Sequence, residues 1–249
     1  MTVDPSVLLL LLLVAVVAGF VDSIAGGGGL LTVPALLAAG LGPGAALGTN
    51  KLQSVAGSST AAVTYARGGA VQPRTLVPAV ITTFVGSALG TYVVTSIDPS
   101  ALEQLLPWLL LGIAAYIACK PDLGHVETAS RISARAYTAG VAPVIGAYDG
   151  FLGPGTGSFF ALTLVGLRGH ELTRATATAK VLNLTSNAAA LLVFIARGVP
   201  VWQVGAVMAV GQALGARAGA RTVLLRGSRL VRPALIVASV ALSLSLLFR

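Results

Sequence analysis

Residues 19–51 read GFVDSIAGGGGLLTVPALLAAGLGPGAALGTNK, and the fold turns on how this stretch is read. It opens at the end of an apolar run, with Asp22 at the run's edge. Four consecutive glycines follow, Gly26, Gly27, Gly28 and Gly29. An apolar run over 30–41 comes next, then a Gly-Pro-Gly turn at 42–44. Thr49-Asn50-Lys51 is then embedded in another apolar run. Consecutive glycines hold a helix poorly, each costing about 1 kcal/mol against alanine. Within a bilayer an unwound backbone is tolerated only where protein buries it or a cavity surrounds it. The stretch therefore reads as a helix broken at a site.

A second copy supports this reading. Residues 146–180 read GAYDGFLGPGTGSFFALTLVGLRGHELTRATATAK. Asp149 stands where Asp22 does, and Lys180 where Lys51 does. Gly153, Gly155 and Gly157, interleaved with Pro154 and Thr156, replace the glycine run. Asp and Lys are 29 residues apart in the first copy and 31 in the second. Arg67-Gly68 and Arg197-Gly198 close the two units, and GSALG at 86–90 matches GQALG at 211–215. The chain is a tandem duplication. It divides into a first transmembrane repeat over 1–119, a cytoplasmic linker over 120–135 (KPDLGHVETASRISAR) and a second repeat over 136–249.

Composition fixes the class. Of the 249 residues, 55% are hydrophobic and only 10% charged, and the mean hydropathy is +0.89. Soluble domains carry about 25% charged residues, so the chain reads as an all-α polytopic membrane protein. The net charge of +8 invites a nucleic-acid reading. The cations are scattered between apolar runs, however, and a membrane's charge asymmetry accounts for them without nucleic acid. Cys119 is the single cysteine, which excludes an internal disulfide and a cysteine-based metal site. The first apolar run, 7–21, is preceded by Asp4 and no Lys or Arg, unlike a secretory signal, and reads as a retained span.

Further apolar runs fall at 45–66, 76–97 and 102–119, then at 136–147, 151–167, 175–196, 202–220 and 230–248. With five legs per unit, the units are inverted. Of the 14 cations outside the spans, 12 then share one face, leaving Arg197 and Arg249 on the other. With four spans per unit they run parallel, and the same residues split evenly. The first arrangement satisfies the positive-inside rule and is the inverted-repeat design of many secondary transporters. Both termini then face away from the cytoplasm.

Lys51 and Lys180 lead the candidate site. A lysine inside a span costs about 2.5–3.5 kcal/mol on insertion scales. Snorkelling to the interface is the bland reading; the duplication favours a polar centre that balances an anion. Asp22 and Asp149 either cap short helices, pair with the lysines, or carry a proton. The glycine breaks Gly26–Gly29 and Gly153–Gly157, with Thr156, would expose helix-end amides suited to an anion; close packing of small residues is the alternative. Asn50 and Gln53 share one helix face, and Asn183 lies three residues beyond Lys180 with Asn187 four further on. They suit substrate oxygens or interhelical contacts. His125 and His170 lie in loops without metal-ligand spacing, and Trp108 and Trp202 read as interfacial anchors.

The motifs GFVDSIAGGGGLLTVPAL with GTNKLQS, and DGFLGPGTGSF with TATAKVLNLTSN, resemble the two signatures of the TauE/SafE sulfite-exporter family, also called toluene-sulfonate uptake permeases. The resemblance covers essentially the whole chain. It implies a bacterial inner-membrane permease of about eight spans for sulfite, sulfoacetate or other organosulfonates. Its partners would be a small sulfur-containing anion and membrane lipid, with no cofactor, no metal and room for a homo-oligomer. The expected mechanism is alternating access between the two repeats. A passive anion channel is the alternative. An enzyme is disfavoured because no His or Cys lies within a span to build a nucleophile–base pair.

Overall fold

The computed structural model describes residues 4–98, 100–101, 108 and 128–227. Every regular element among them is helical. In the first unit these are α1 (Pro5–Ala25), α2 (Gly28–Ala38), α3 (Pro43–Arg67) and α4 (Val77–Val94), the last entered through a 3-10 turn at Pro73–Leu76. In the second they are α5 (Ala142–Phe151), α6 (Thr156–Arg168), α7 (Leu172–Ala196) and α8 (Trp202–Arg226). Of the apolar runs at 102–119 and 230–248, the described residues include Trp108 alone, which is exposed; Cys119 and His125 lie outside them.

Local chemistry sets the helix limits. Asp4 caps α1, accepting the Ser6 amide at 2.8 Å, with Pro5 in the first turn. Glu171 caps α7, accepting from the Arg174 amide and the Thr173 hydroxyl. A π-helical segment at Tyr137–Val141 leads into α5, where Pro143 has no amide to give the preceding turn. The apolar run read at 151–167 is interrupted. Phe151 ends α5 and the helix resumes only at Thr156, because Pro154 is flanked by Gly153 and Gly155 with left-handed backbones (φ 96° and 83°).

The two units interlock. α1 of the first unit packs along α8 of the second, and α5 of the second packs along α4 of the first. Both contacts are glycine-to-carbonyl. A side chain on Gly86 or Gly90 of α4 would strike the carbonyls of Pro143 or Ala147, and one on Gly146 or Gly150 of α5 those of Thr83 or Ser87. Gly19 on α1 and Gly211, Gly215 and Gly219 on α8 repeat the pattern. Small residues four apart bring two backbones together where lipid offers no hydrophobic drive between helices. The GSALG and GQALG repeats are thus the seams between units.

α3 and α7 fill the middle and pack on each other. Thr49, near the start of α3, accepts the amide of Val201 beyond the end of α7 at 3.0 Å. Gly69 and Ala70, just past the end of α3, line one cavity with Glu171 and Thr173 at the start of α7. α3 and α7 therefore run in opposite directions.

Polarity is turned inside out. Leu9, Leu10 and Leu13 on α1, Ile81, Val85 and Leu89 on α4, and Val210 and Leu214 on α8 are exposed, while Asn50, Lys51, Gln53, Asp149, Lys180 and Asn183 are buried. Three of the described helical segments, Pro5–Ala25, Pro73–Val94 and Leu172–Ala196, are long and apolar enough to cross a bilayer.

Candidate functional site: two crossed ion pairs at the helix breaks

α1 stops at Ala25. Gly26 turns left-handed (φ 81°), and its amide closes the helix on the Asp22 carbonyl at 2.8 Å. Only Gly26 and Gly27 lie outside a helix, for Gly28 and Gly29 already form the first turn of α2. The helix break expected in the glycine run is thus two residues long, and Asp22 supplies the reason. Its Oδ1 accepts the Gly28 amide at 3.1 Å, capping α2 from the end of the preceding helix. Gly28 lies so close to this carboxylate that a Cβ would come within 2.6 Å of the Asp22 Cβ.

The second break is built differently. Thr156 Oγ1 donates to the Gly153 carbonyl at 2.7 Å, and Tyr148 Oη donates to the Pro154 carbonyl at 2.5 Å. The two breaks touch. Gly26 lies against the backbone of Gly157 and Ser158, leaving no room for a side chain on Gly26, and Ser158 Oγ donates to the Ala25 carbonyl at 2.5 Å. Gly29 rests on Pro154. The breaks cross backbone to backbone at the meeting of the two units.

Both lysines reach this crossing, and each pairs with the carboxylate of the other unit. Lys51 Nζ lies 2.8 Å from Asp149 Oδ1, and Lys180 Nζ lies 2.8 Å from Asp22 Oδ2. The lysines are each 1% exposed, so snorkelling does not describe them. Lys51 also donates to the Asp149 carbonyl at 2.5 Å and to Asn187 Oδ1 at 3.2 Å. Its ammonium sits over Gly153, where a Cβ would come within 2.7 Å of Nζ. Burying an ion pair is costly unless its geometry and remaining hydrogen bonds are good, and these bonds serve that need.

The remaining candidates divide. Asn50 Oδ1 accepts from Thr32 Oγ1 at 2.6 Å and from Gln53 Nε2 at 2.8 Å, so these residues tie α2 to α3 within the first unit. Asn183 follows Lys180 on α7, and its carbonyl accepts the Asn187 side-chain amide at 2.8 Å. Thr176, Lys180, Asn183 and Asn187 form one buried stripe along α7 that ends at Lys51. The α2 amide at Gly28 and the Lys180 ammonium both point at Asp22, so the protein's own carboxylate holds the place foreseen for an anion. Buried side-chain atoms without a partner among the described residues include Asp149 Oδ2, Gln53 Oε1 and Thr176 Oγ1.

Several contributors were not singled out by sequence reasoning. Ser158 fastens the breaks together, and Tyr65 Oη donates to the Ser23 carbonyl at 2.8 Å. Ser87 donates to the Ser186 carbonyl at 2.6 Å, while Gln212, its counterpart in the second seam, packs over Gly57, the counterpart of Ser186. Only the alignment of the two repeats signals that exchange of bulk. A cavity of about 310 Å³ at the Arg174 end of α7 is lined by Arg135, Arg168 and His170 and extends to buried Thr178 and Leu182.

An apolar-surfaced helical bundle with charge pairs buried where two broken helices cross has the character of a membrane protein. The comparisons with known proteins define it further. The family profile described as "Sulfite exporter TauE/SafE" matches residues 11–246, and the chain belongs to that family. It is 45% identical over 246 residues to the probable membrane transporter protein YfcA of Escherichia coli K12, covering 99% of this chain and 91% of that protein. It is 44% identical over 230 residues to the probable membrane transporter protein ORF9 of Sinorhizobium sp, covering 92% and 88%. A probable membrane transporter protein of Haemophilus influenzae is 43% identical over 231 residues, covering 93% and 91%. No solved structure matches the chain significantly. The protein is a membrane transporter rather than an enzyme.

Proposed function

We propose that this protein is a multi-pass secondary transporter of sulfur-containing oxyanions, sulfite or organosulfonates, in the bacterial inner membrane. Its two repeats are inverted and alternate access to one central site. The observation that carries this reading is the crossed pairing of Lys51 with Asp149 and Lys180 with Asp22 at the contact of the two helix breaks. The opposed directions of α3 and α7 support inversion. The family name supports the substrate class.

In this mechanism an oxyanion enters against Lys180 and the α2 amide, where it displaces the Asp22 carboxylate. Charge at Lys180 stays balanced while Asp22 is released, so the pair that fastens the units opens only when substrate replaces it. The buried Asp149 Oδ2, which has no partner among the described residues, is suited to hold a proton that couples transport to the proton gradient. Rocking of one unit against the other about the glycine crossing then exposes the site to the opposite face.

The test is uptake of labelled sulfite and a sulfonate into proteoliposomes. Saturable uptake is expected, reduced about tenfold or more by Lys180→Gln, the equivalent of about 1.4 kcal/mol of lost binding. Asp149→Asn should abolish acceleration by an imposed pH gradient while sparing substrate exchange. Unchanged uptake in both Lys180→Gln and Lys51→Gln would sink the central site. Linear, non-saturating flux would identify a channel instead.

A further inference from the structure

The duplication lets one end of the bundle be compared with the other, and they differ in how a terminal arginine is satisfied. Arg67 closes α3 and Arg197 closes α7 at equivalent positions. The seams then align Tyr92, two residues after Gly90, with Arg217, two residues after Gly215. At the α7 end the guanidinium of Arg197 lies over the Tyr92 ring, 5.4 Å from its centroid, so the cation has an aromatic partner within the protein. At the α3 end the residue in the place of that tyrosine is itself an arginine. Arg67, Arg217 and Arg221 line one open cleft of about 500 Å³ between α3 and α8. Arg217 and Arg221 are four apart and so share one face of α8. No acidic side chain is among the described residues that line the cleft, and no hydrogen bond or ion pair satisfies these three guanidiniums among the described residues.

Three like charges converging on one cleft, with no acid beside them among the described residues, suit an anionic ligand. The surroundings say which. Leu224 lines the cleft beside the arginines, and Val63, half exposed, continues it onto the apolar outer face of the bundle. A ligand that fits must carry a phosphate for the guanidiniums and acyl chains for the flank. Arginine forks suit phosphate oxygens, and basic pockets between transmembrane helices on the cytoplasmic side take anionic head groups. On the inverted-repeat topology the Arg67 end is the cytoplasmic one and the Arg197 end the opposite one. We propose that the Arg67–Arg217–Arg221 cleft is a binding site for the phosphate of an anionic phospholipid, filled from the cytoplasmic leaflet. This lipid holds α3 and α8 together across the two units at the end where their cations would otherwise repel. The proposal goes beyond the transport reading and borrows from it only the identity of the leaflet.

The test uses the full-length protein, stripped of lipid in a neutral detergent. It is titrated with dioleoyl phosphatidylglycerol, with dioleoyl phosphatidylcholine, or with sodium phosphate, reading bound lipid by native mass spectrometry and melting temperature in parallel. Phosphatidylglycerol is expected to bind about tenfold more tightly than phosphatidylcholine and to raise the melting temperature. The double variant Arg217→Gln/Arg221→Gln should lose that preference. Arg217→Tyr should lose most of it too, because it gives Arg67 the aromatic partner that Arg197 already has. Arg197→Gln should leave it unchanged. Equal binding of the two lipids by the native protein, or an undiminished preference in the double variant, would overturn the proposal. So would sodium phosphate reproducing the whole stabilisation, since the cleft would then be a site for free phosphate. None of these readouts depends on transport, so the proposed substrate stands or falls separately.

Discussion

The two ion pairs are equivalent by sequence and opposite in how their hydrogen bonds are spent. Lys51 uses all three ammonium protons, on Asp149 Oδ1, the Asp149 carbonyl and Asn187. Its partner leaves Oδ2 unpaired. At the other pair the carboxylate is the satisfied group. Asp22 accepts Lys180 on Oδ2 and the Gly28 amide on Oδ1, while Asp22 is the one acceptor of Lys180 among the described residues. Burial differs in the same sense, since Asp149 is 1% exposed and Asp22 14%. The first pair is therefore a sealed fastening with spare acceptor capacity. The second has spare donor capacity at a partly open edge. An anion needs donors, and a proton needs an acceptor.

The largest effect expected from this difference is on stability. Lys51→Met leaves the Asp149 carboxylate buried without a counter-charge, and breaking a buried pair on one side costs about 3–5 kcal/mol. Lys180→Met leaves Asp22 with its Gly28 amide and partial access to water, so it should cost clearly less. Thermal unfolding of the purified variants checks the order. Equal losses would show that the two pairs are energetically alike despite their geometry. The double variants that remove both members of a pair, Lys51→Met/Asp149→Leu and Lys180→Met/Asp22→Leu, should each recover part of the loss.

A smaller, local effect separates neighbouring glycines. Gly28→Ala places a methyl against the Asp22 side chain, disturbing the carboxylate that both caps α2 and holds Lys180. The cost expected is about 1–3 kcal/mol, within the usual range for overpacking. Gly27→Ala meets nothing closer than Leu30 at 3.7 Å and has φ −109°, which alanine accepts. It should be neutral, or stabilise by about 0.4–1 kcal/mol. A severe Gly27→Ala defect would mean that the break must flex there.

This contrast marks where sequence reasoning ends. The broken helices and the buried lysines were legible because each leaves a one-dimensional trace: a glycine run in an apolar segment, a charge within a span. The crossing of the pairs was not. Two aspartates and two lysines at matched positions fit pairing within a unit as well as between units. The choice is made by the α1–α8 and α4–α5 seams, whose glycines stood in the sequence only as landmarks of repetition. Where the break ends was not legible either: at Gly28 and Gly29 glycine's poor helix propensity is overridden by a cap from Asp22, six residues before Gly28. Asn50 and Gln53 carry the polarity of a ligand set yet are joined to each other and to Thr32, a contact that no spacing rule announces.

The smallest expected effect tests the comparison at a single atom. Asn187 is the third acceptor of Lys51, and the residue at the equivalent position of the first unit is Ser58, whose hydroxyl bonds back to the Ser54 carbonyl at 2.6 Å. Asn187→Ser therefore installs in the second unit what the first already has, and should leave the Lys51 ammonium one acceptor short. The loss expected is about 1 kcal/mol, below the ~1.5–3 kcal/mol usual for a hydrogen bond to a charged group because the bond is 3.2 Å long. The discriminating measurement is a double-mutant cycle with Lys51→Met. If Asn187 acts through the lysine, its effect vanishes once the ammonium is gone. If the loss persists undiminished, Asn187 stabilises α7 through its bond to the Asn183 carbonyl, and the sealed pair rests on two acceptors rather than three.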